Sequence, residues 1–221
     1  MAEKIIIYGT GNLSQILVKL LEDGSLYEIA VFTVDSHYRD ADEFMGFPLL
    51  DFERITENYP PDDFSMIAAI GYKQMRNRTL LFNKAKKAGY TLKNYIGPKV
   101  IHYNDSEIGE NNLIFDGTFM GPYGKMGDNN IIRPVCYVGH GFNIGSHNFI
   151  SAGMILGGVC KIGNSCFLGM GSKVTDHLDV GDETLLAAGS VLTQSSETCS
   201  MYAGAPAQLK KRHETNGIVI Q

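Results

Sequence analysis

The chain has 221 residues, of which 44% are hydrophobic and 19% charged, a balance typical of a folded globular protein. The formal net charge of -5 argues against a broad basic surface for nucleic acid or an anionic membrane. Every apolar run is shorter than the ~20 residues of a membrane span, and Glu3 and Lys4 lead directly into a strand-like segment, unlike a signal peptide. We therefore expect a cytoplasmic protein without nucleic-acid or membrane partners.

Strands and helices alternate before about residue 100. An apolar strand over 4–8 runs into Gly9-Thr10-Gly11-Asn12, and the next segment carries apolar residues on one helical face until Asp23-Gly24-Ser25. The pattern also predicts strands over 28–34, 64–70 and 91–96, and a helix over 73–88 that ends at Gly89. We predict a small, mostly parallel, Rossmann-like α/β domain over residues 1–100.

The period changes after about residue 100. Every sixth position from 108 to 192 holds Ile, Leu, Met or Val, and every third of these positions up to 180 is followed by Gly. A six-residue period fits a short strand plus a turn, and three such units make one triangular coil that pairs with the next coil through parallel strands. The glycines are expected at tight corners. We predict an all-β stack of coils with a C-terminal tail over residues 101–221.

The four cysteines form no C-x-x-C pair, so a zinc site or a disulfide framework is poorly supported. Cys136, Cys160 and Cys166 each stand two positions before the apolar residue of a hexad. That position is a second inward-facing site, and we predict that all three are buried packing residues.

The hexad pattern resembles the left-handed parallel β-helix of hexapeptide-repeat acyltransferases. With the Gly-rich α/β half and the closing segment Ala203-Gly204-Ala205-Pro206-Ala207, nearly the whole chain resembles the nucleotide-sugar acetyltransferases of the bacillosamine and perosamine pathways, which have sialic-acid O-acetyltransferases as relatives. The resemblance implies a homotrimer in polysaccharide biosynthesis. It further implies a metal-free transfer of an acetyl group from acetyl-CoA to a nucleotide-linked amino sugar, in a site between subunits.

His140 is the candidate general base. It stands four residues before Ile144-Gly145, the position of the family's catalytic histidine, and a neutral imidazole suits proton removal near neutral pH. Relatives usually place Glu or Asp after this histidine, where the chain has Gly141, so a backbone carbonyl, Asn143 or Asn130 is expected to orient the ring. We expect His147 at the surface or in contact with substrate, and His37, His102, His177 and His213 at the surface.

The resemblance also implies where the two substrates bind. Acetyl-CoA is expected along the coils, at Ser151, Gly158, Met170 and Ala188, with a backbone N–H near Gly158 as oxyanion donor. Gly9, Thr10, Gly11 and Asn12 open a helix after a strand, where amides favour a phosphate, although the dinucleotide glycine pattern is incomplete. Asp35 is expected to bind a ribose or base, and Lys73 a diphosphate.

Other functions stay open at this stage. One alternative is a sugar O-acetyltransferase of the same fold, in which the acceptor is a hydroxyl rather than an amine. A non-catalytic sugar-nucleotide-binding protein is suggested by the missing acid after His140. A zinc lyase on the same coil, of the trimeric carbonic anhydrase type, requires a histidine triad that the spacing does not show.

Overall fold

The computed structural model of the chain describes residues 2–22, 27–213 and 217–220, so the helix stop predicted at Asp23-Gly24-Ser25 lies outside the described residues. The chain forms two compact units. The first comprises Met1–Gly71 and Leu80–Lys93, and the second Tyr72–Thr79 and Asn94–Gln221. The division is therefore not a single boundary at residue 100. No helix in the described ranges is both long and apolar enough to cross a membrane.

The first unit is built on a five-stranded sheet. Its order is β3 (Glu43–Phe44), β4 (Phe47–Asp51), β2 (Tyr27–Val34), β1 (Glu3–Tyr8) and β5 (Ser65–Ala68), and all neighbours are parallel except the β3–β4 pair. Ile5, Ile6 and Ile7 of β1 are fully buried, as expected for a strand in the interior of a parallel sheet. Helices or short 3-10 turns connect the strands, except for the tight turn at residues 45–46. The elements are β1 (Glu3–Tyr8), α1 (Asn12–Glu22), β2 (Tyr27–Val34), 3-10 turn Ser36–Tyr38, β3 (Glu43–Phe44), β4 (Phe47–Asp51), 3-10 turn Phe52–Arg54, α2 (Ile55–Asn58), β5 (Ser65–Ala68) and α3 (Met75–Lys87).

The predicted strand over residues 91–96 is wrong. Leu92 makes only an isolated bridge to Met66, and the short strand β6 (Tyr95–Ile96) pairs inside the second unit. The sheet is instead extended at its other edge by β3 and β4. The sequence did not reveal these strands because Gly46 and Pro48 interrupt the segment, and proline is confined to sheet edges and strand starts.

The second unit is a parallel β-helix, as the hexads predicted. Residues eighteen apart pair in register, for example Tyr137 with Ile155. Short strands occur every six residues, and the stack ends in an antiparallel hairpin. The strands are β7 (Glu107–Ile108), β8 (Leu113–Ile114), β9 (Phe119–Met120), β10 (Lys125–Met126), β11 (Ile131–Ile132), β12 (Tyr137–Val138), β13 (Asn143–Ile144), β14 (Phe149–Ile150), β15 (Ile155–Leu156), β16 (Lys161–Ile162), β17 (Phe167–Leu168), β18 (Lys173–Val174), β19 (Asp179–Val180), β20 (Leu185–Leu186), β21 (Val191–Leu192), β22 (Ser200–Gly204) and β23 (Ala207–Arg212).

The three walls of the β-helix differ in their outward residues. The charged wall (β7, β10, β13, β16, β19) exposes ion pairs such as Lys125–Glu107 at 2.8 Å. The covered wall (β6, β8, β11, β14, β17, β20, β22, β23) packs Phe149 and Phe167 against Tyr72. The aromatic wall (β9, β12, β15, β18, β21) exposes Tyr137, whose ring stacks on that of Phe119 with centroids 5.3 Å apart.

The interior matches the sequence prediction. All fifteen hexad residues lie in one apolar core or pack against it, with only Ile108 partly buried. Cys136, Cys160 and Cys166 are buried as free thiols, which confirms their packing role. Burial raises the pKa of Cys136 to about 11 and that of Cys166 to about 12, so neither forms a thiolate near neutral pH.

Buried asparagine side chains bind backbone amides of the following coil. The buried Asn112, Asn130 and Asn148 stack in one column, and each Oδ1 accepts the backbone N–H eighteen residues later. The glycines after the hexad residues are needed for close approach rather than for a left-handed turn. A Cβ on Gly145, for example, would meet Asn164 Oδ1 at 2.7 Å, whereas the positive φ of that corner falls on His147, at 65°.

Candidate functional site

His140 lies at the corner between the aromatic and charged walls, and its side chain is exposed. The ring lies against Gly158, the residue directly above it in the next coil. A Cβ built on Gly158 would stand 2.5 Å from Cε1 and 2.8 Å from Nδ1 of His140. No side chain larger than that of glycine fits there without moving the ring, so the absent Cβ determines where the imidazole lies.

The amide of Gly158, expected near the oxyanion donor, is already bound. Its N–H donates to Asp176 Oδ1 at 2.6 Å, and Asp176 occupies the same corner one coil further on. An N–H engaged by a carboxylate is not available to a developing oxyanion. This differs from the expectation, because the sequence did not show which side chain caps this corner.

Gly141 has a φ of 61°. The equivalent corner residues of the other coils, Tyr123, Val159 and His177, share this left-handed conformation with φ between 56° and 62°. The corner therefore accepts side chains, and a Cβ on Gly141 would meet Val159 Cγ2 at an ordinary 3.6 Å. The backbone at position 141 therefore does not require glycine and would also accept an acidic residue.

The groups expected to orient His140 are used elsewhere or lie apart. Asn130 is fully buried, donates to Gly145 O at 2.9 Å, and belongs to the internal asparagine column. Asn143 lies in β13 of the charged wall. Within the described ranges the His140 imidazole makes no hydrogen bond to either. Asn130 is thus a structural residue, because its amide satisfies buried backbone groups of the coil.

The residues expected to contact acetyl-CoA divide between two corners. Gly158 lies at the His140 corner, whereas Ser151, Met170 and Ala188 lie at the corner between the covered and aromatic walls. Met170 is 65% exposed and Ala188 is exposed, but Ser151 is buried. The structure therefore leaves Met170 and Ala188 accessible, whereas Ser151 is buried in the coil.

His147 is partly buried rather than freely exposed. Its Nδ1 lies 2.9 Å from Asn129 Nδ2, and its carbonyl lies near the buried guanidinium of Arg78, whose terminal nitrogen donates to Asn129 O at 2.6 Å. Burial, together with the positive charge of Arg78, lowers the pKa of His147 to about 4. A histidine held neutral and packed in this way has an evident structural role. The sequence did not identify Arg78, since a lone arginine at a helix start carries no such signal.

His213 also departs from the expected surface position. Its side chain is partly exposed, but Nε2 is buried, and burial lowers its pKa. His37, His102 and His177 are exposed, as expected.

In the first unit, Gly9 begins the loop after β1. It adopts a φ of 116°, and a Cβ there would meet Ala69 O at 3.1 Å, so the loop passes close to the end of β5. Ser14 Oγ fixes the loop by donating to Gly9 O at 2.7 Å. Helix α1 starts at Asn12, and nothing lies within 4 Å of a Cβ on Gly11. Open space over the first turn of a helix, where amides lack partners within the helix, suits an anion.

Asp35 follows β2 and belongs to a hydrogen-bonded cluster. The phenol of Tyr8 and the ammonium of Lys84, at 2.7 Å, both donate to Asp35 Oδ1, and Lys84 also contacts Glu53 Oε1 at 2.9 Å. In the described part of the chain Oδ2 of Asp35 makes no hydrogen bond. The carboxylate is thus oriented by its Oδ1 partners and retains an acceptor for a ligand.

The pKa shifts within this cluster favour a charged Lys84 and a protonated Tyr8. Burial lowers the pKa of Lys84, but its hydrogen bonds to Asp35 and Glu53 outweigh this and leave it raised. The hydrogen bond from Lys84 is the main cause of the lowered pKa of Glu53. Burial and the Asp35 carboxylate raise the pKa of Tyr8, so the phenol stays protonated and donates. Lys84 and Tyr8 were missed because 49 and 27 residues separate them from Asp35.

Lys73, expected near a diphosphate, is exposed and belongs to the second unit, whereas Gly9, Gly11 and Asp35 belong to the first. Its carbonyl accepts the amide of Ile220 at 3.0 Å, so residues 218–220 pair with the segment that precedes α3. Among the described residues, no group of three His, Cys, Asp or Glu side chains is arranged to hold a metal ion.

Comparison with known proteins supports the fold. Residues 4–81 match the model of the PglD N-terminal domain. Comparison with curated proteins by sequence gives no match. Among solved structures, the acetyltransferase domain of PglB from Neisseria gonorrhoeae is 24% identical with a TM-score of 0.84, covering 94% of this chain and 100% of that one. The same domain is also described in complex with acetyl coenzyme A.

Two further structures cover as much of the chain. A mutant of perosamine N-acetyltransferase from Caulobacter crescentus, in complex with CoA and GDP-perosamine, is 23% identical with a TM-score of 0.84 and matches over 94% of this chain and 97% of that one. WeeI from Acinetobacter baumannii is 21% identical with a TM-score of 0.75, over 94% and 100% respectively. At the level of fold these matches confirm the resemblance that the hexads indicated: an α/β domain, matched by the PglD N-terminal domain, followed by a left-handed parallel β-helix.

Proposed function

We propose that the chain is an acetyltransferase that moves the acetyl group of acetyl-CoA to the amine of a nucleotide-linked sugar. The observation that carries this is His140, an accessible imidazole held against Gly158 at a coil corner. The likeness to sugar N-acetyltransferases described with CoA and GDP-perosamine supports the substrate class. We assign the reaction to the cytoplasm.

His140 serves as the general base in this reaction. The amine nitrogen attacks the thioester carbonyl carbon and forms the C–N bond while its proton passes to the imidazole. The C–S bond then breaks, and the coenzyme A thiolate leaves and receives the proton from the imidazolium. One side chain thus acts as base and then as acid, a role in which histidine is common in enzymes.

The acetyl-CoA site is completed by a second copy of the chain. His140 and the exposed pair Met170 and Ala188 lie at opposite edges of the aromatic wall. If three copies turn their aromatic walls toward a threefold axis, the His140 edge of one copy meets the Met170 edge of the next. The exposed side chains of Tyr137, at 47%, and Ile155, at 41%, supply an apolar contact for such a trimer.

The first unit is proposed to hold the nucleotide. The amides at the start of α1 donate hydrogen bonds to a phosphate over Gly11, and Asp35 Oδ2 accepts a hydrogen bond from a ribose hydroxyl or a base N–H. Both groups follow parallel strands of one sheet, at the carboxyl ends where ligands of open α/β sheets bind.

A mass-spectrometric screen tests this function. The purified chain is incubated with acetyl-CoA and a panel of GDP-, UDP- and dTDP-linked amino sugars, with their hydroxyl analogues alongside. A product that is heavier by one acetyl group in place of a hydrogen, and that forms from an amino sugar alone, supports N-acetyl transfer. Acetylation of the hydroxyl analogues alone favours the O-acetyltransferase, and tight binding of a sugar nucleotide without turnover favours the non-catalytic binding protein.

A further inference from the structure

We propose that Asp176 is the positioning residue for His140, in place of the acid absent at position 141. The inference rests on the proposed function, because it assigns a partner to the base of that reaction. Asp176 lies 36 positions beyond His140, two coils along the same corner, so no short motif connects them.

The two side chains converge on one residue. The His140 ring is within 2.8 Å of the place where a Gly158 Cβ would stand, and Asp176 Oδ1 is 2.6 Å from Gly158 N. Gly158 occupies the same corner in the coil between theirs, and it has no side chain to separate them. The carboxylate is thus held by a backbone N–H on the coil against which the imidazole packs.

The second oxygen of Asp176 is not used by another group among the described residues. Asp176 is exposed, and in the described part of the chain it forms no ion pair and Oδ2 makes no hydrogen bond. The nearer ring nitrogen to Gly158 is Nδ1, at 2.8 Å from the added Cβ against 3.2 Å for Nε2. An Nδ1–H directed to Asp176 leaves Nε2 as the proton acceptor, and the carboxylate stabilises the imidazolium that forms.

If Asp176 only capped a corner amide, its loss would have the same effect as the loss of any equivalent cap. Corner amides elsewhere are capped in the same way, since Asp182 Oδ1 accepts the amide of Asn164 at 2.7 Å. That corner lies between the charged and covered walls, away from His140. Asp182→Asn therefore removes an equivalent capping charge and serves as the matched control for Asp176→Asn.

The kinetic experiment compares both variants with the unmodified chain, using acetyl-CoA and GDP-perosamine or the most active sugar of the panel. We expect Asp176→Asn to lower kcat about tenfold, ~1.4 kcal/mol of transition-state stabilisation, with both KM values unchanged. Asp182→Asn keeps kcat. Adding Gly141→Asp to Asp176→Asn restores most of the lost kcat, because position 141 accepts a side chain. Equal losses in the two single variants, or full activity of Asp176→Asn, overturn the proposal.

A second measurement needs no turnover. In protein labelled with 15N-histidine, the imidazole nitrogen shifts report which ring nitrogen carries the proton, and His140→Asn assigns the signal. We expect a larger Nδ1–H fraction for His140 in the unmodified chain than in Asp176→Asn, and no change in Asp182→Asn. An unchanged His140 signal in Asp176→Asn overturns the proposal. Absence of acetyl transfer by the unmodified chain overturns the proposed function instead, so the two failures are distinguishable.

Discussion

The imidazole of His140 lies so close to Gly158 that one methyl group on Gly158 would stand 2.5 Å from Cε1. Contacts under 3.0 Å between carbon atoms force a displacement, and the coil backbone below the ring is fixed by ladder hydrogen bonds such as Gly139 N to Leu156 O at 2.8 Å. The imidazole must therefore move, and Gly158 controls its position without touching substrate through a side chain.

Gly158→Ala is expected to lower kcat by about tenfold to a hundredfold, because a displacement near 1 Å at a reacting group has effects of this order. Thermal unfolding should change little, since the ring is exposed and moves into solvent. Gly71→Ala is the control, because nothing lies within 4 Å of a Cβ there. Steady-state kinetics measure this effect. A Gly158→Ala variant with normal kcat would show that the position of the His140 ring does not limit the reaction.

His140→Asn should keep the fold and lower kcat about 10²–10⁴-fold, since the exposed corner accepts a polar side chain while the proton acceptor is lost. His102→Asn, at an exposed residue, controls for the loss of a histidine. Circular dichroism checks the fold. Near-normal turnover in His140→Asn would remove this residue from the reaction.

Asp35→Ala is expected to raise the KM for the sugar nucleotide about 10- to 150-fold, the value of one hydrogen bond to a charged group at ~1.5–3 kcal/mol. The KM for acetyl-CoA should stay the same, because a contact with a non-reacting part of one substrate is lost. Glu57→Ala, which removes an exposed ion pair with Arg54, is the control within the first unit. If the acetyl-CoA KM rises instead, the two substrates have been assigned to the wrong units.

Tyr137→Glu should convert a trimer to monomers and abolish acetyl transfer. The substitution places a charge in the exposed apolar surface of the aromatic wall. Lys161→Glu, on the charged wall, should remain trimeric. Light scattering measures the mass of each variant, and a stable, active monomer of the unmodified chain would contradict a site shared between subunits.

His147 should make the second unit sensitive to acid. Its pKa of about 4 in the folded chain lies below ~6.5 in an unfolded chain, so the neutral form stabilises fully above pH ~6.5 and the contribution is lost as pH falls toward 4. Because the imidazole is only partly buried, solvent screening reduces the loss at pH 5 relative to pH 7.5 to about 1 kcal/mol. Thermal unfolding at both pH values should show a smaller acid-induced drop in Tm for His147→Gln than for the unmodified chain or His102→Gln. Equal drops in all three would exclude His147 as the cause.

The repeat could be predicted because one rule sets every coil. Each sixth residue fills the interior, so the strands, the three walls and the buried Cys136, Cys160 and Cys166 follow from the period alone. The asparagine column carried a similar signal that the hexad analysis did not use, since Asn112, Asn130 and Asn148 recur eighteen residues apart.

Features outside the period could not be predicted in this way. The pairing of Lys84 with Asp35 joins a helix to a strand end across 49 residues, and local patterns carry no information on such contacts. The burial of Arg78 among backbone carbonyls depends on a segment that packs against the coils without sharing their repeat. The Asp176 cap on Gly158 follows the eighteen-residue spacing of the coils, but that spacing alone does not show which side chain binds which amide.

In one corner column of the β-helix, which contains Asp128, Ser146, Asn164 and Asp182, each side chain caps the backbone amide of the preceding coil. The amide of Ser146 donates to Asn164 Oδ1, and the amide of Asn164 donates to Asp182 Oδ1. Each acceptor belongs to the coil that is synthesised next. A chain emerging from the ribosome therefore always carries one unfinished coil at its growing end. The last coil has no successor and takes its caps from Ser195 and Ser196, which bind the amides of Asp179 and Gly181 at 3.0 Å. Loss of this terminal segment leaves the final coil open, whereas loss of a whole internal coil of eighteen residues preserves the pairing rule.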